Sequence, residues 1–422
     1  MPRSSEENPR IFYGWWVVVA FASTGIYWTG THNTGLSALF TPMRESFGFS
    51  ASVITFAISL KQILTMFVSP VVGQTVDRVG PRRFLILAGI LGGAGFSIVA
   101  LAHSTWMFFV GFVIASLGYT IIGSGMGPAV ISAWFKKRQG MTIALIMGLG
   151  GLSGFFVPGI VWIEGEFGWR TAAIAIAIGT VAVTVPMAFV IRRTPQEMGL
   201  QPDNDEMLVE TPPGTTSKGQ GETRKAMVTY GVKELLHNHF FLITIVAQVL
   251  FTIGNATANL FLIPHLEEQG FSREASAWIA TVVGVVGTIG IVSIGWYSDR
   301  VGRRSLLLAC MALQVVGLVV FAYVSSFPMV IVYIVCNGIG GRVVFSLVSS
   351  TLLDQFGSAS AGKILGILMA IFAFSSFLGP QLAALVHDEL GSYTPMLLAY
   401  AGTACLSIAL TVFGSRYMRK AA

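Results

Sequence analysis

Gly73–Arg83, GQTVDRVGPRR, and Gly295–Ser305, GWYSDRVGRRS, are two copies of one turn. Glycine, Asp-Arg, glycine and a basic cluster recur in the same order, without a gap, at an offset of about 222 residues. Each copy lies between two long apolar runs, so each reads as a short charged turn joining two membrane helices. The register extends well beyond the turn. Asn33 matches Asn255, Pro42 matches Pro264, Glu45 matches Glu267, and Gly48-Phe49-Ser50 matches Gly270-Phe271-Ser272. Gly118 pairs with Gly340, Gly140 with Gly362 and Pro158 with Pro380, and only the last span slips, by one residue, between Gly179-Thr180 and Gly402-Thr403. Chance supplies glycine matches in a glycine-rich chain, but not a triplet, an Asp-Arg pair and two prolines in one register. The chain reads as a duplicated six-helix unit.

Composition places that unit in a membrane. The 422 residues are 54% hydrophobic and only 11% charged, with a mean hydropathy of +0.72. Soluble domains spend about a quarter of their residues on charge, so this chain cannot cover a water-facing surface. The net charge of +6 comes from basic residues scattered through short loops, which orients a membrane protein and leaves no nucleic-acid footprint. Cys310, Cys336 and Cys405 all fall within apolar runs and read as small buried hydrophobes, with no metal-ligand spacing. No cofactor is expected.

Apolar runs of about 20 residues or more follow one another. They are approximately Trp15–Phe40, Ala51–Val76, Phe84–Ala102, Trp106–Ile131, Met141–Trp162 and Thr171–Ile191 in the first half. In the second they are Phe240–Ile263, Ala275–Tyr297, Ser305–Val324, Pro328–Leu353, Ile364–Val386 and Thr394–Phe413. The predicted fold is all-α: twelve transmembrane helices in two six-helix lobes, residues 1–193 and 232–422, joined by a linker, 194–231. The linker is rich in Pro, Gly, Thr and charge and has no apolar period. The first run is too long for a signal-peptide core and reads as an uncleaved span. Arg78, Arg82, Arg83, Lys136, Lys137, Arg138, Arg192, Arg193, Arg300, Arg303 and Arg304 all fall on the side of the Asp-Arg turns, whereas Arg44, Arg170 and Arg273 stand opposite among acids. The excess predicts cytoplasmic turns and two cytoplasmic termini.

At DRVGPRR and DRVGRRS the chain resembles the major facilitator superfamily, in which this loop latches two lobes that alternate in access. The resemblance implies a gate made of Asp77, Arg78 and Arg82 with Asp299, Arg300 and Arg304. Such carboxylates can cap a helix end and pair across the lobes in one state only; a plain positive-inside loop would need no such pairing. Tyr13-Gly14-Trp15-Trp16, Trp134-Phe135-Lys136-Lys137-Arg138, Phe167-Gly168-Trp169-Arg170, Asp354-Gln355-Phe356-Gly357 and Leu378-Gly379-Pro380 are similar to the monocarboxylate transporter family and its bacterial relatives. That resemblance implies small organic anions, often moved with a proton, across a plasma or bacterial inner membrane. It fails at the family's site. An Asp and an Arg of span 8 in animal members fall at Gly287 and Ile291, and a span 1 lysine falls near Thr34.

Two cations remain at membrane depth. Lys61 lies some ten residues into its span and Arg342 some thirteen, which at about 1.5 Å per residue puts both near the middle of a ~30 Å core. Facing lipid, each costs at least about 2.5–3.5 kcal/mol, so both should face the cavity between the lobes. No Asp or Glu shares that depth, and the pair favours an anionic ligand. Arg342 could grip a carboxylate with two hydrogen bonds or cap backbone carbonyls; Lys61 could hold a second anionic group, titrate, or snorkel. Polar side chains at helical spacing mark the same cavity: Asn33 in span 1, Asn255 and Asn259 in span 7, Tyr119 in span 4, and Ser346 beside Arg342. They read either as ligand contacts or as helix–helix hydrogen bonds. His32 is a candidate proton carrier, set against a structural histidine. Transport of small mono- or dicarboxylates, by proton symport or anion exchange, is the reading these residues favour. Export of hydrophobic or aromatic compounds in the same fold is the alternative, and an enzyme or a non-transporting sensor fits least, since no nucleophile–base pair is apparent. Expected partners are the organic anion, protons and membrane lipid, without nucleic acid.

Overall fold

The computed structural model describes residues 12–136, 138–204, 231–357 and 360–418. The predicted N-terminal tail up to residue 11 and linker residues 205–230 lie outside them, as do the side chains of Asp77, Arg78, Asp299 and Arg300. Helices carry the described chain, without strands. In the first half α1 (Tyr13–Thr29) passes through a π-helical turn (Gly30–Thr34) into α2 (Gly35–Phe47). Next come α3 (Ala51–Val79), α4 (Pro81–Ala100), α5 (Thr105–Gly123) and α6 (Met126–Trp134). Then α7 (Gln139–Leu149), a 3-10 stretch (Gly150–Phe155) and α8 (Phe156–Phe167) form one interrupted span before α9 (Trp169–Val190). The second half holds α10 (Val232–His237), α11 (His239–Leu260), α12 (Leu262–Glu268) and α13 (Arg273–Val301). It ends with α14 (Arg303–Ala322), α15 (Phe327–Phe356), α16 (Ala361–Leu390) and α17 (Thr394–Met418).

Among the described residues, ten helical stretches are long and apolar enough to cross a membrane. The two other predicted spans are the interrupted ones, whose helical pieces have 17 residues or fewer. Glycine explains the turns. Gly80 and Gly302, the second glycines of the repeated motif, have φ of 91° and 96°. That conformation, which an L side chain rarely takes, lets one residue separate α3 from α4 and α13 from α14. Pro81 then opens α4, where a missing N–H costs nothing.

Within each lobe glycine also sets helix spacing, since lipid offers no hydrophobic drive between helices and close contact must supply it. A Cβ on Gly118 would lie 2.7 Å from Ala88 O of α4; one on its repeat partner Gly340 would lie 2.7 Å from Cys310 O of α14. Trp28 Nε1 donates to Thr184 Oγ1 at 2.8 Å, tying α1 to α9.

The lobes meet along α3 with α16 and along α8 and the 3-10 stretch with α13. Their contacts concentrate at the end away from the Gly80 and Gly302 turns, termed here the far end. The Asp388 carboxylate accepts from Ala51 N–H at 2.6 Å and Ser52 N–H at 2.9 Å, placing a negative charge on the positive start of α3. Arg273 donates to Ala38 O and pairs with Glu164 at 3.3 Å, and Thr41 Oγ1 donates to Glu267 at 3.1 Å. Deeper, Thr281 Oγ1 donates to Gly154 O at 2.8 Å and Thr288 Oγ1 to Gly148 O at 3.2 Å. Among the described residues no hydrogen bond or ion pair joins the lobes at the turn end. Among the described residues, the bonds that join the lobes therefore seal the far end.

Candidate functional site

The π-helical turn is where the site begins. Its wider winding interrupts the α-helical ladder, and π turns of this kind frequently mark functional positions. His32 O, exposed by that winding, accepts from Lys61 Nζ at 2.8 Å, and Asn33 Oδ1 accepts from the same ammonium at 2.8 Å. The Lys61 ammonium also lies 5.3 Å from the centre of the Tyr119 ring. Lys61 is 5% exposed, so it does not snorkel. His32, 2% exposed, stacks on Trp28 with ring centroids 4.1 Å apart and shares a 2.8 Å hydrogen bond between Nδ1 and Thr31 Oγ1. Its Nε2 has no partner among the described residues. A small cavity beside Lys61 is lined by His32, Ser116 and Tyr119 with apolar neighbours. The predicted Lys61, Asn33, Tyr119 and His32 therefore form one cluster in the first lobe.

The second lobe uses the same frame with different chemistry. In the first lobe Thr65 of α3 and Thr120 of α5 share a hydrogen bond of 3.1 Å. Their repeat partners are Gly287 of α13 and Arg342 of α15. Gly287 supplies the space that Thr65 fills: a Cβ there would lie 3.0 Å from Arg342 Nε and closer still to its Cδ. Arg342 thus lies across the span 8 position at which animal members of the resembling family carry an acid. Partly buried, it makes no hydrogen bond or ion pair with any described residue, and its Nε is an orphaned buried donor. Val283, the repeat partner of Lys61, is buried and apolar. Among the described residues, Lys61 in the first lobe and Arg342 in the second therefore stand on different helices of the repeat.

The remaining predicted residues divide. Asn259 Nδ2 donates to Asn255 O at 2.8 Å and to Asn255 Oδ1 at 3.1 Å, and Asn255 Nδ2 has no partner among the described residues. Ser346 is exposed, one turn beyond Arg342. Of the predicted gate, Arg82 turns to the Phe189 ring of its own lobe, 4.3 Å from its centre, and Arg304 is exposed.

A family model for the major facilitator superfamily matches residues 16–272 and 244–421. The chain belongs to the major facilitator superfamily. It is 21% identical over 400 residues to monocarboxylate transporter 12 of Mus musculus, covering 91% of this chain and 82% of that one. It is 25% identical over 401 residues to monocarboxylate transporter 11 of Homo sapiens, covering 91% and 80%. Among solved structures it resembles the nucleoside transporter NupG, with a TM-score of 0.73 at 14% identity, covering 96% of this chain and 100% of that one. A bacterial homologue of the human lysosomal transporter Spinster, inward-facing and unoccupied, gives a TM-score of 0.75 at 13% identity, covering 98% of each chain. This chain is accordingly a multi-pass membrane transporter of that superfamily, not an enzyme. At these identities the solved structures establish its fold alone.

Sequence reasoning passed over three polar residues beside Asn255 and Arg342, namely Gln314, Asn337 and Tyr333. Gln314 of α14 and Asn337 of α15 are 0% and 2% exposed, and both Gln314 amide atoms and Asn337 Oδ1 lack partners among the described residues. They converge with Asn255 on Gly341, where a Cβ would lie 2.9 Å from Gln314 Oε1 and 3.2 Å from Asn337 Oδ1. Tyr333 accepts from Asn337 Nδ2 at 3.1 Å. The signal was present, since an uncharged amide in an apolar span needs a partner as much as a charge does. Conversely, Gln248 and Thr252, which share the span 7 stripe with Asn255, are buried and bond each other at 3.1 Å.

Proposed function

We propose that this protein is a secondary transporter of small organic anions, carried by alternating access through a site between its repeats. Arg342 grips a carboxylate with its planar fork, and Lys61, held by the π turn, supplies the opposing positive potential from the other lobe. The observation that carries this reading is the guanidinium of Arg342, at membrane depth with no anionic partner among the described residues. An unpaired cation there is costly, and a substrate carboxylate is the group that offsets it. The names of the related monocarboxylate transporters support the same class. Tyr119, Asn33, Asn255, Asn259 and Ser346 contribute polar contacts, and the distribution of Lys and Arg supports cytoplasmic termini in a plasma membrane of bacterial inner-membrane type. On that orientation the sealed far end is outside and the conformation is inward-facing, and Asp77, Arg78, Arg82, Asp299, Arg300 and Arg304 form the gate that closes the cytoplasmic end in the opposite state.

Uptake into proteoliposomes tests the class. Labelled mono- and dicarboxylates and nucleosides are offered with and without an imposed pH gradient. Saturable carboxylate uptake, unaffected by excess nucleoside, is the expected result; nucleoside uptake indifferent to carboxylates would overturn the reading. Stimulation by an inward proton gradient marks symport, whereas stimulation by carboxylate on the far side marks exchange.

Proton coupling has two candidate groups. His32 touches the Lys61 cluster. Glu267, outside the spans, lies at the sealed far end near Arg273, Glu164 and Glu45. Burial there raises the Glu267 carboxyl above its ordinary value of 4.5, against the lowering by Arg273 and by the Thr41 hydrogen bond. The closed far end thus binds the proton more tightly than an open one in which Glu267 is hydrated. Acidification from above the raised value down through 4.5 favours closure, and below 4.5 the effect saturates. Glu267→Gln should flatten that pH dependence, read as the alkylation rate of a cysteine placed at the buried far-end residue Ala38 in a Cys405→Ser background. An unaltered pH profile would assign the coupling elsewhere, with His32 the next group to test.

A further inference from the structure

At the turn end of the first lobe the start of α4 and the segment after α9 line an open cavity of about 530 Å³, with no residue in common with the Lys61 cluster. Four arginines line it, Arg82 and Arg83 from α4 and Arg192 and Arg193 from the segment after α9. The acid among its lining residues is Glu197, whose carboxylate accepts from the Arg193 backbone N–H at 3.2 Å. No ion pair engages any of the four guanidinium groups among the described residues. The α4 N-terminus opens into the same space without a capping side chain. Its free N–H groups add to the positive potential.

The duplicated turn in the second lobe shows what neutralisation looks like. Arg303, which opens α14, pairs with Asp354 of α15, and Ser305 stands where the first lobe has Arg83. The repeat partner of Asp354 is Ser132, so the first lobe keeps two arginines after its turn glycine, Arg82 and Arg83, but lacks the acid that pairs with an arginine in the second. Both α4 and α9 are apolar enough to span a membrane, and the cavity residues stand at the first turn of α4 and just past the end of α9. The cavity therefore lies where hydrocarbon gives way to headgroups, the level at which basic pockets between helices meet anionic lipid.

We propose that this cavity binds the phosphate of an anionic phospholipid headgroup, held by Arg83, Arg192 and Arg193 beside the start of α4. Guanidinium forks match phosphate oxygens in pairs, and the uncapped N–H groups offer a further anion contact. A zwitterionic headgroup brings its own cation and gains less from the same pocket.

Native mass spectrometry of the purified chain tests this by titration with phosphatidylglycerol or phosphatidylcholine at low and high salt. Phosphatidylglycerol should bind in preference and weaken with salt. Each of Arg83→Gln, Arg192→Gln and Arg193→Gln should weaken it about fivefold, from about 1 kcal/mol per basic residue near the surface, and the triple variant about a hundredfold. The triple variant Lys136→Gln, Arg138→Gln, Lys233→Gln removes the same charge from exposed positions outside the pocket and should bind as the parent does. Melting in neutral detergent checks that both triple variants remain folded. Equal loss in the two triple variants, or parental binding by the first, would overturn the assignment. Inorganic phosphate that binds as tightly and displaces the lipid would make this a soluble-anion site instead.

Discussion

Replacing Arg342 with methionine should weaken carboxylate binding about a hundredfold while raising the melting temperature of the ligand-free protein. The two effects have one cause. Arg342 makes no hydrogen bond or ion pair with a described residue, and its Nε is buried and orphaned. The empty protein therefore carries an uncompensated charge, and an apolar side chain of similar length removes that cost. Binding moves the other way, because losing one partner of a desolvated charge pair costs about 2–5 kcal/mol. Arg342→Lys keeps the charge but not the planar fork and should lose about tenfold. Equilibrium binding of the best substrate and a thermal melt without it are the two measurements. A lower melting temperature with unchanged affinity would make Arg342 a structural cap on backbone carbonyls.

Gly284→Ala should leave both lobes folded and slow transport markedly by disfavouring closure at the far end. A Cβ on Gly284 would lie 2.6 Å from Gly151 O, and Gly151 is its one near neighbour. Gly151 belongs to the other lobe, and a Cβ there would lie 2.6 Å from Gly284 O. The clash exists only when the lobes meet. Backbone cannot yield as a side-chain end does, and overpacking of this kind costs about 1–3 kcal/mol, a five- to 150-fold loss of the closed state. Gly284→Val should be more severe. Alkylation of a cysteine at Ala38, 1% exposed in the closed form, reads the population directly. Protection equal to the parent's would remove Gly284 from the lobe interface.

The difference between those two predictions shows how much the sequence carried. Arg342 was legible because a charge in an apolar span is costly wherever it points, and the cost forces a search for its partner. The same reasoning extends to Gln314 and Asn337, but amides do not stand out against composition as charges do. Lys61 was legible as a buried cation, yet not as one already held by His32 O and Asn33 Oδ1. That depends on the π turn at Gly30–Thr34, and one extra residue within a helical turn leaves no periodic trace in GTHNT. Gly151 and Gly284 meet backbone to backbone across the lobes, a neighbour that neither glycine's place in the sequence names. Spacing reports which helix face is small, whereas the partner across it depends on how the lobes dock.

By itself the sequence determined a duplicated helical membrane protein, because a 222-residue register and uninterrupted apolar runs are one-dimensional properties. Lipid leaves the backbone few ways to satisfy its hydrogen bonds. Only the tertiary structure decided that Thr65–Thr120 in one lobe becomes Gly287–Arg342 in the other, and that the far end is the sealed one. Those are facts about residues distant in the chain and adjacent in space. The repeat fixes where such pairs meet, and the side chains that differ between its copies fix what they can hold.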